Sequence, residues 1–364
     1  MWDLVFALSL LALFWLGRGL WWHWYEPYAE ARRLNLQLYR VKRQGAYLKL
    51  WLRHPEGALL PKARAGQHLL LYGTDLAGKA VSRAYSIASD CSQRRYYQLV
   101  VKAEPDGRLS QALFQKAEAL DTVLCSYPRG HFSLKPGRAP VVLVAAGVGI
   151  TPLLAMALQA IRQRRQVTLV YQARNQADLL FYPMLRRLPA FTLVPCLSQP
   201  EAGWAGRAGR IDAGLLFKLG GAFAQYYFCC KALMTEKLIC DLSILGAHQC
   251  FNEPFSAAAS IQSFSIEMDG HQADSMGQRS VLDALIAASV PLSYDCKGGS
   301  CGLCKVRVVS GEYKQVLDAA VHCGDDEVLA CCIQPTSALV LTSLDAEAEV
   351  VREPVPPLTK AEPA

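Results

Sequence analysis

Cys296-Lys297-Gly298-Gly299-Ser300-Cys301-Gly302-Leu303-Cys304 decides how this chain is read. The spacing is C-x4-C-x2-C, which supplies the first three ligands of a plant-type [2Fe–2S] cluster. Three thiolates must be brought round two irons by one tight loop. Gly298, Gly299 and Gly302 allow a backbone turn that a Cβ would obstruct. The fourth ligand has to come from elsewhere. Leu329-Ala330-Cys331-Cys332-Ile333 offers it. Cys331 is the expected ligand and Cys332 the alternative, because neighbours on an extended chain point opposite ways. The rival metal is zinc, whose sites commonly pair two C-x2-4-C units. A single C-x4-C-x2-C with one distant partner favours the iron–sulfur reading.

Working outward, 364 residues leave room for two or three domains. Thirteen cysteines in so long a chain, with a cluster motif among them, point to a reducing compartment and away from a disulfide scaffold. Cys91, Cys125, Cys196, Cys240 and Cys250 read as small buried apolar residues. Charge is unevenly shared. Residues 1–260 carry 31 basic and 16 acidic residues, net +15, while 261–345 carry 5 and 11, net −6. Such a body attracts an acidic partner domain and phosphate-bearing cofactors. Its basic residues are dispersed, which argues against nucleic acid.

At the N-terminus, Leu4 to Gly17 is apolar apart from Ser9. As a helix this run is about 21 Å long, and reaches about 31 Å if extended to Trp24. Trp21, Trp22 and Trp24 sit where an aromatic belt belongs, and Arg32, Arg33, Arg40, Lys42 and Arg43 follow. Residues 1–27 are therefore expected to form a membrane anchor, with the rest on the cytoplasmic face, in a bacterial inner membrane. A buried or interfacial helix is the alternative. Asp3 and the lack of a small-residue cleavage site disfavour a signal peptide.

From residue 35 to 136 short alternating runs such as Tyr47-Leu48-Lys49-Leu50-Trp51-Leu52 predict a small antiparallel barrel. Arg83-Ala84-Tyr85-Ser86 within it offers a cation, an aromatic face and a hydroxyl. Lys102 adds a cation, and Gly107-Arg108-Leu109-Ser110 opens a helix whose N-terminus suits an anion; for Ser110 an ordinary N-cap is the other reading. Residues 138–257 read as an α/β unit. Val141 to Ala146 is a continuous apolar run, as in a strand buried on both faces. Gly147-Val148-Gly149-Ile150-Thr151-Pro152 follows, then a helix from Leu153, with Pro152 at its first position, then the strand Val167 to Tyr171. This βαβ turn lets a pyrophosphate approach the backbone. Residues 261–345 carry the cluster loop, and 346–364, rich in proline and charge, read as a disordered tail.

Together these segments resemble the ferredoxin–NADP reductase superfamily, in the branch with a C-terminal plant-type ferredoxin domain. The resemblance implies a flavin barrel, a doubly wound nucleotide domain and a β-grasp ferredoxin domain. It implies that Tyr85 packs on the isoalloxazine, Ser86 bonds near its N5 and Arg83 holds flavin phosphate, with Gly107 and Ser110 in a second phosphate segment. Gly147, Gly149, Thr151 and Pro152 match its nicotinamide-dinucleotide loop. Cys229 falls near the nicotinamide, and Glu253 and Phe255 on the closing motif beside the flavin. FAD is implied over FMN by the length from Gly107 to Leu134. Arg174 near the end of the second strand tilts the donor toward NADPH over NADH, unless it pairs with Asp178. One departure is Cys230-Lys231 where the family has Gly-Pro. Cys230 is expected to crowd the nicotinamide and slow or alter hydride transfer. The implied activity is an NAD(P)H-dependent reductase feeding an oxygenase, desaturase or hydroxylase. The alternatives are a respiratory NADH:quinone reductase-like subunit and a non-enzymatic membrane redox relay.

Overall fold

Leu48, Leu50 and Leu52 lie on one face of a strand and fill the interior of the first domain. This computed structural model describes residues 33–105, 107–253, 259–317 and 319–344. Strands β1 (Arg33–Gln44), β2 (Tyr47–Arg53), β3 (His68–Thr74), β4 (Ala80–Ser86), β5 (Tyr97–Lys102) and β6 (Thr122–Ser126) form one antiparallel sheet. Their order is β4-β3-β6-β1-β2-β5. The sheet curls until the chain beyond β4 meets β5, where Ala88 N–H donates to Gln98 O at 2.8 Å. The alternation in β2 predicts a wet outer face, but Tyr47 and Lys49 are buried too. The second domain covers them. Lys49 Nζ lies 4.5 Å from the centroid of the Phe181 ring and donates to Gln44 Oε1 at 2.8 Å.

That second domain is a six-stranded parallel sheet. Its strands are β7 (Val141–Ala146), β8 (Val167–Ala173), β9 (Phe191–Leu197), β10 (Arg207–Ala208), β11 (Gln225–Cys229) and β12 (Cys250–Asn252), ordered β10-β9-β8-β7-β11-β12. Apolar side chains line both faces, as buried parallel strands require. One face packs under the helix Ile150–Arg162 and joins Tyr47, Val100 and Phe132 of the barrel in a shared core. The other packs under the helices Ala213–Gly220 and Ala232–Ile244. The first helix starts at Ile150, so Pro152 is its third residue and not its first. This costs no hydrogen bond, because N–H groups of a first turn have no partner within the helix.

The third domain orders β14-β13-β19-β15-β17, from β13 (Ser265–Met268), β14 (His271–Asp274), β15 (Lys305–Ser310), β17 (Glu327–Leu329) and β19 (Leu339–Ser343). β13 runs parallel to β19 while its other pairings are antiparallel. The helix Val281–Ala287, capped by Ser280 Oγ accepting from Asp283 N–H, packs into the same core. β16 (Tyr313–Gln315) and β18 (Ile333–Pro335) make a separate pair. Of the scattered cysteines, Cys125 and Cys196 are buried, Cys91 and Cys250 half-buried, and Cys240 exposed.

One expected element is corrected. Among the described residues no helix is long and apolar enough to cross a membrane. The expected anchor, residues 1–27, lies outside the described residues, as does the tail 346–364. Among the described residues the fold class is therefore three domains without a membrane helix, and nothing in them bears out the expected placement on a membrane's cytoplasmic face.

Candidate redox centre

The cluster loop enters from the helix Val281–Ala287 and leaves into β15. Left-handed backbone falls at Lys297 (φ +52°), Gly299 (φ +72°) and Gly302 (φ +77°). Lys297 thus holds the strained position expected at Gly298. It is steadied by an ion pair to Asp283 at 3.2 Å. Cys296, Cys304 and Cys331 are buried and Cys301 is half-buried. Cys296 lies within hydrogen-bonding reach of Cys301, and Cys304 of Cys331, and Cys331 Sγ also meets Cys332 Sγ at 3.7 Å. Among the described residues no three or more His, Cys, Asp or Glu side chains gather as ligands of a single ion. Three cysteines of one loop with a fourth from a distant segment are the donor set of a plant-type [2Fe–2S] cluster.

The donors around those sulfurs fit the same group. Gly298 N–H and Ser300 N–H donate to Cys296 Sγ at 3.4 and 3.3 Å, and Gly299 N–H donates to Cys331 Sγ at 3.3 Å. A hydrogen bond from Cys301, with the backbone N–H groups, holds the Cys296 thiol below its ordinary range. The thiolate is the ligating form. Cys332 Sγ lies 3.7 Å from Cys331 Sγ and faces a separate cavity lined by His131, His322 and Cys323.

A cleft of about 170 Å³ adjoins this loop. Arg83, Ala84 and Ser86 line it from β4, His68 from β3, and His131 and Phe132 from the loop after β6. Glu253 closes it from the nucleotide domain, and Cys296, Lys297 and Gly298 from the ferredoxin domain. Arg83, Ser86, Glu253 and Cys296 are thus brought to one place, and Ser86 is buried there. Tyr85 is not among the lining residues. It is half-buried against the barrel core, where burial pushes its phenol well above the usual range. Lys102, Gly107 and Ser110 also lie outside the lining. Lys102 pairs with Glu104 at 2.6 Å, and the buried Ser110 donates its hydroxyl to Gly107 O at 3.2 Å. The helix Arg108–Lys116 that they open has no side-chain cap, so Ser110 is not its N-cap.

The dinucleotide loop sits at the C-terminal ends of the parallel strands, where such sheets bind ligands. Gly147 takes φ +55°, and its carbonyl accepts from Tyr171 OH at 3.0 Å. A Cβ on Gly149 would stand 1.9 Å from Cys229 O, so only glycine fits there. Thr151 Oγ1 donates to Val148 O at 2.9 Å, and Pro152 is buried beside it. Cys229 is fully buried, and its thiol donates to Glu253 O at 3.5 Å. Burial pushes that thiol well up, so it stays neutral. Cys230 turns to the opposite face, where its thiol donates to Val144 O at 3.3 Å among Tyr226, Leu238 and Leu242. The crowding expected of Cys230 is therefore not what its side chain does. Arg174 is exposed just past β8, and no ion pair joins it to Asp178 among the described residues. Phe255 lies outside the described residues.

Sequence reading missed His68, Asp295 and Ser300. His68 Nε2 and Ser300 Oγ are 2.9 Å apart, and Asp295 accepts from Ser82 N–H at 2.8 Å. Their only local signal was that Asp295 and Ser300 directly precede cluster cysteines.

Family models agree with this division. A 2Fe-2S iron-sulfur cluster binding domain matches residues 265–336, an oxidoreductase NAD-binding domain 143–238, and an oxidoreductase FAD-binding domain 38–134. NADH oxidoreductase HCR of Escherichia coli strain K12 is 30% identical over 292 residues, 76% of this chain and 88% of that protein. Phthalate dioxygenase reductase of Burkholderia cepacia is 28% identical over 277 residues, 72% of this chain and 81% of that protein. The solved structure of a phthalate dioxygenase reductase superposes with a TM-score of 0.59 at 25% identity, over 86% of this chain and 99% of that one. The chain belongs to the ferredoxin–NADP reductase superfamily, in the branch with a C-terminal [2Fe–2S] ferredoxin domain, and is an NAD(P)H-dependent oxidoreductase that uses FAD and a [2Fe–2S] cluster.

Proposed function

We propose that this chain is the reductase component of an oxygenase system, passing electrons from NAD(P)H to a separate oxygenase, desaturase or hydroxylase. One observation carries the reading. Arg83 and Ser86 of the flavin strand, Glu253 of the nucleotide domain and Cys296 of the cluster loop line a single cleft. Relatives named as the reductase of phthalate dioxygenase and the reductase subunit of glycine betaine monooxygenase support the choice of partner.

When bound, a flavin accepts a hydride and releases electrons singly, which couples a nicotinamide donor to a one-electron cluster. The chain's own residues supply position and exclusion of water. Ser86 would donate its hydroxyl toward the flavin ring, and Arg83 with Ser110 would hold its phosphates. Gly107 would leave room beside Ser110, and Lys102 would add charge. Tyr85, half-buried on the same strand as Ser86, would pack on the flavin ring. Gly147 and Gly149 would admit the dinucleotide pyrophosphate to the backbone, with Thr151 and Pro152 fixing that turn and Arg174 near the ribose. The neutral Cys229 thiol and Glu253 would close the nicotinamide side, with Phe255 following. Cys296, Cys301, Cys304 and Cys331 would hold the irons. The corresponding domain limits are 35–136, 138–257 and 261–345.

The test is anaerobic titration of the purified chain with NADH and with NADPH, followed by cytochrome c. Bleaching of the flavin band and a reduced-cluster EPR signal are expected, with the better nucleotide settling the donor. A flavin that neither nucleotide bleaches sinks the proposal.

A further inference from the structure

The cluster loop is held against the barrel at two points. At the first, Asp295 accepts from Ser82 N–H at 2.8 Å through Oδ1 and from the Ser82 hydroxyl at 2.5 Å through Oδ2. Its carbonyl accepts from Arg83 Nη1 at 2.9 Å. At the second, the Ser300 hydroxyl shares a 2.9 Å hydrogen bond with His68 Nε2, and the Ser300 carbonyl accepts from Arg129 Nη1 at 2.7 Å. Ser82 and Ser300 are fully buried and His68 nearly so. Cys296, Lys297 and Gly298, the part of the loop that lines the cleft, lie between the two points.

Several features mark these contacts as more than surface complementarity. β4 ends the sheet order, so its outward N–H groups lack a neighbouring strand, and Asp295 satisfies the one at Ser82. A carboxylate accepting from a buried N–H and O–H makes charge-assisted bonds, stronger than neutral ones. The partners are 171 to 232 residues apart in sequence, so the bonds form only when the domains dock. Electron transfer and catalysis depend steeply on how well the reacting groups are held.

We infer that Asp295 and Ser300 are positioning residues that latch the ferredoxin domain onto Ser82, Arg83, His68 and Arg129 and so set the geometry for electrons entering the cluster. The inference rests on the cleft being the flavin site. It adds that dedicated residues, none of them a cluster ligand, fix the two centres relative to each other.

The test uses the full-length holoprotein with Asp295→Ala, and with Ser82→Ala and Ser300→Ala singly and together. Ser82→Ala leaves the ferredoxin domain untouched should Asp295→Ala lose its cluster, and EPR checks cluster content in each. Amide hydrogen exchange over Ala80–Ser86 should quicken about tenfold in Asp295→Ala, as expected for a lost charge-assisted hydrogen bond. In stopped flow, flavin bleaching should keep its wild-type rate while cluster reduction slows roughly tenfold in the double variant. Unchanged exchange, or unchanged cluster reduction in cluster-replete variants, overturns the latch. A wild-type flavin that no nucleotide bleaches instead sinks the reading of the cleft, and with it the electron-transfer half of the inference. The exchange arm still decides the docking.

Discussion

Gly149 has no room for a methyl group, because the carbonyl of Cys229 occupies the space. Gly149→Ala is expected to cost about 1–3 kcal/mol of stability, the usual penalty of overpacking, and to weaken nucleotide binding. Thermal unfolding and flavin bleaching would show both. Two adjacent cysteines give a sharper contrast. Cys331 takes the Gly299 N–H and associates with Cys304, while Cys332 faces a separate cavity. Cys331→Ser should abolish the visible and EPR signature of the cluster, and Cys332→Ser should keep it. His68 makes stability depend on pH. Burial first, then Arg129 and His131, lowers its imidazole from 6.5 to about 4. The unfolded chain therefore takes up the proton first as pH falls. His68 weakens the fold progressively between pH 6.5 and about 4, by roughly 3 kcal/mol in all, and has no effect above that window. A series of melting temperatures should be flatter across that window in His68→Gln than in the wild type.

At the scale of elements, β11 and the turn after it separate two neighbouring thiols. Cys229 faces the core shared with the barrel, and Cys230 faces the helix Ala232–Ile244. Cys230→Gly should leave the rate of flavin bleaching within about twofold of wild type, because the side chain it removes does not face the dinucleotide loop. Stopped-flow mixing with NADH would measure it. The elements themselves were largely legible in sequence. Continuous apolar runs gave β7 and β8, alternation gave β2, and C-x4-C-x2-C gave the cluster loop. What local pattern could not show was what each element leans on. Lys49 read as a wet position because a period of two marks a face but not its cover, and Phe181 of the next domain supplies that cover. Tyr85 matches its motif, and its packing against the barrel core was not visible in that motif. The expected Pro152 start came two residues late because a first turn tolerates proline at more than one position.

At the scale of the molecule, charge asymmetry was visible in the sequence, but the atoms that use it were not. Residues 1–260 are basic and 261–345 acidic, and Arg83 and Arg129 of the first part bond backbone carbonyls at Asp295 and Ser300 of the second. No pattern within a window of ten or twenty residues reveals such pairs. The apolar start of the chain lies outside the described residues. A strong local pattern suggested a membrane element, and among the described residues no helix of that kind is present. The covered flank of β4 has a further outcome for anyone who dissects this protein. A shortened chain ending near residue 260 would lose Asp295 and bare the backbone N–H of Ser82 on that flank. Uncovered strands pair readily with other copies. Light scattering should find the shortened chain self-associating where the full-length chain does not, so its sluggish chemistry would report clumping as much as a missing cluster.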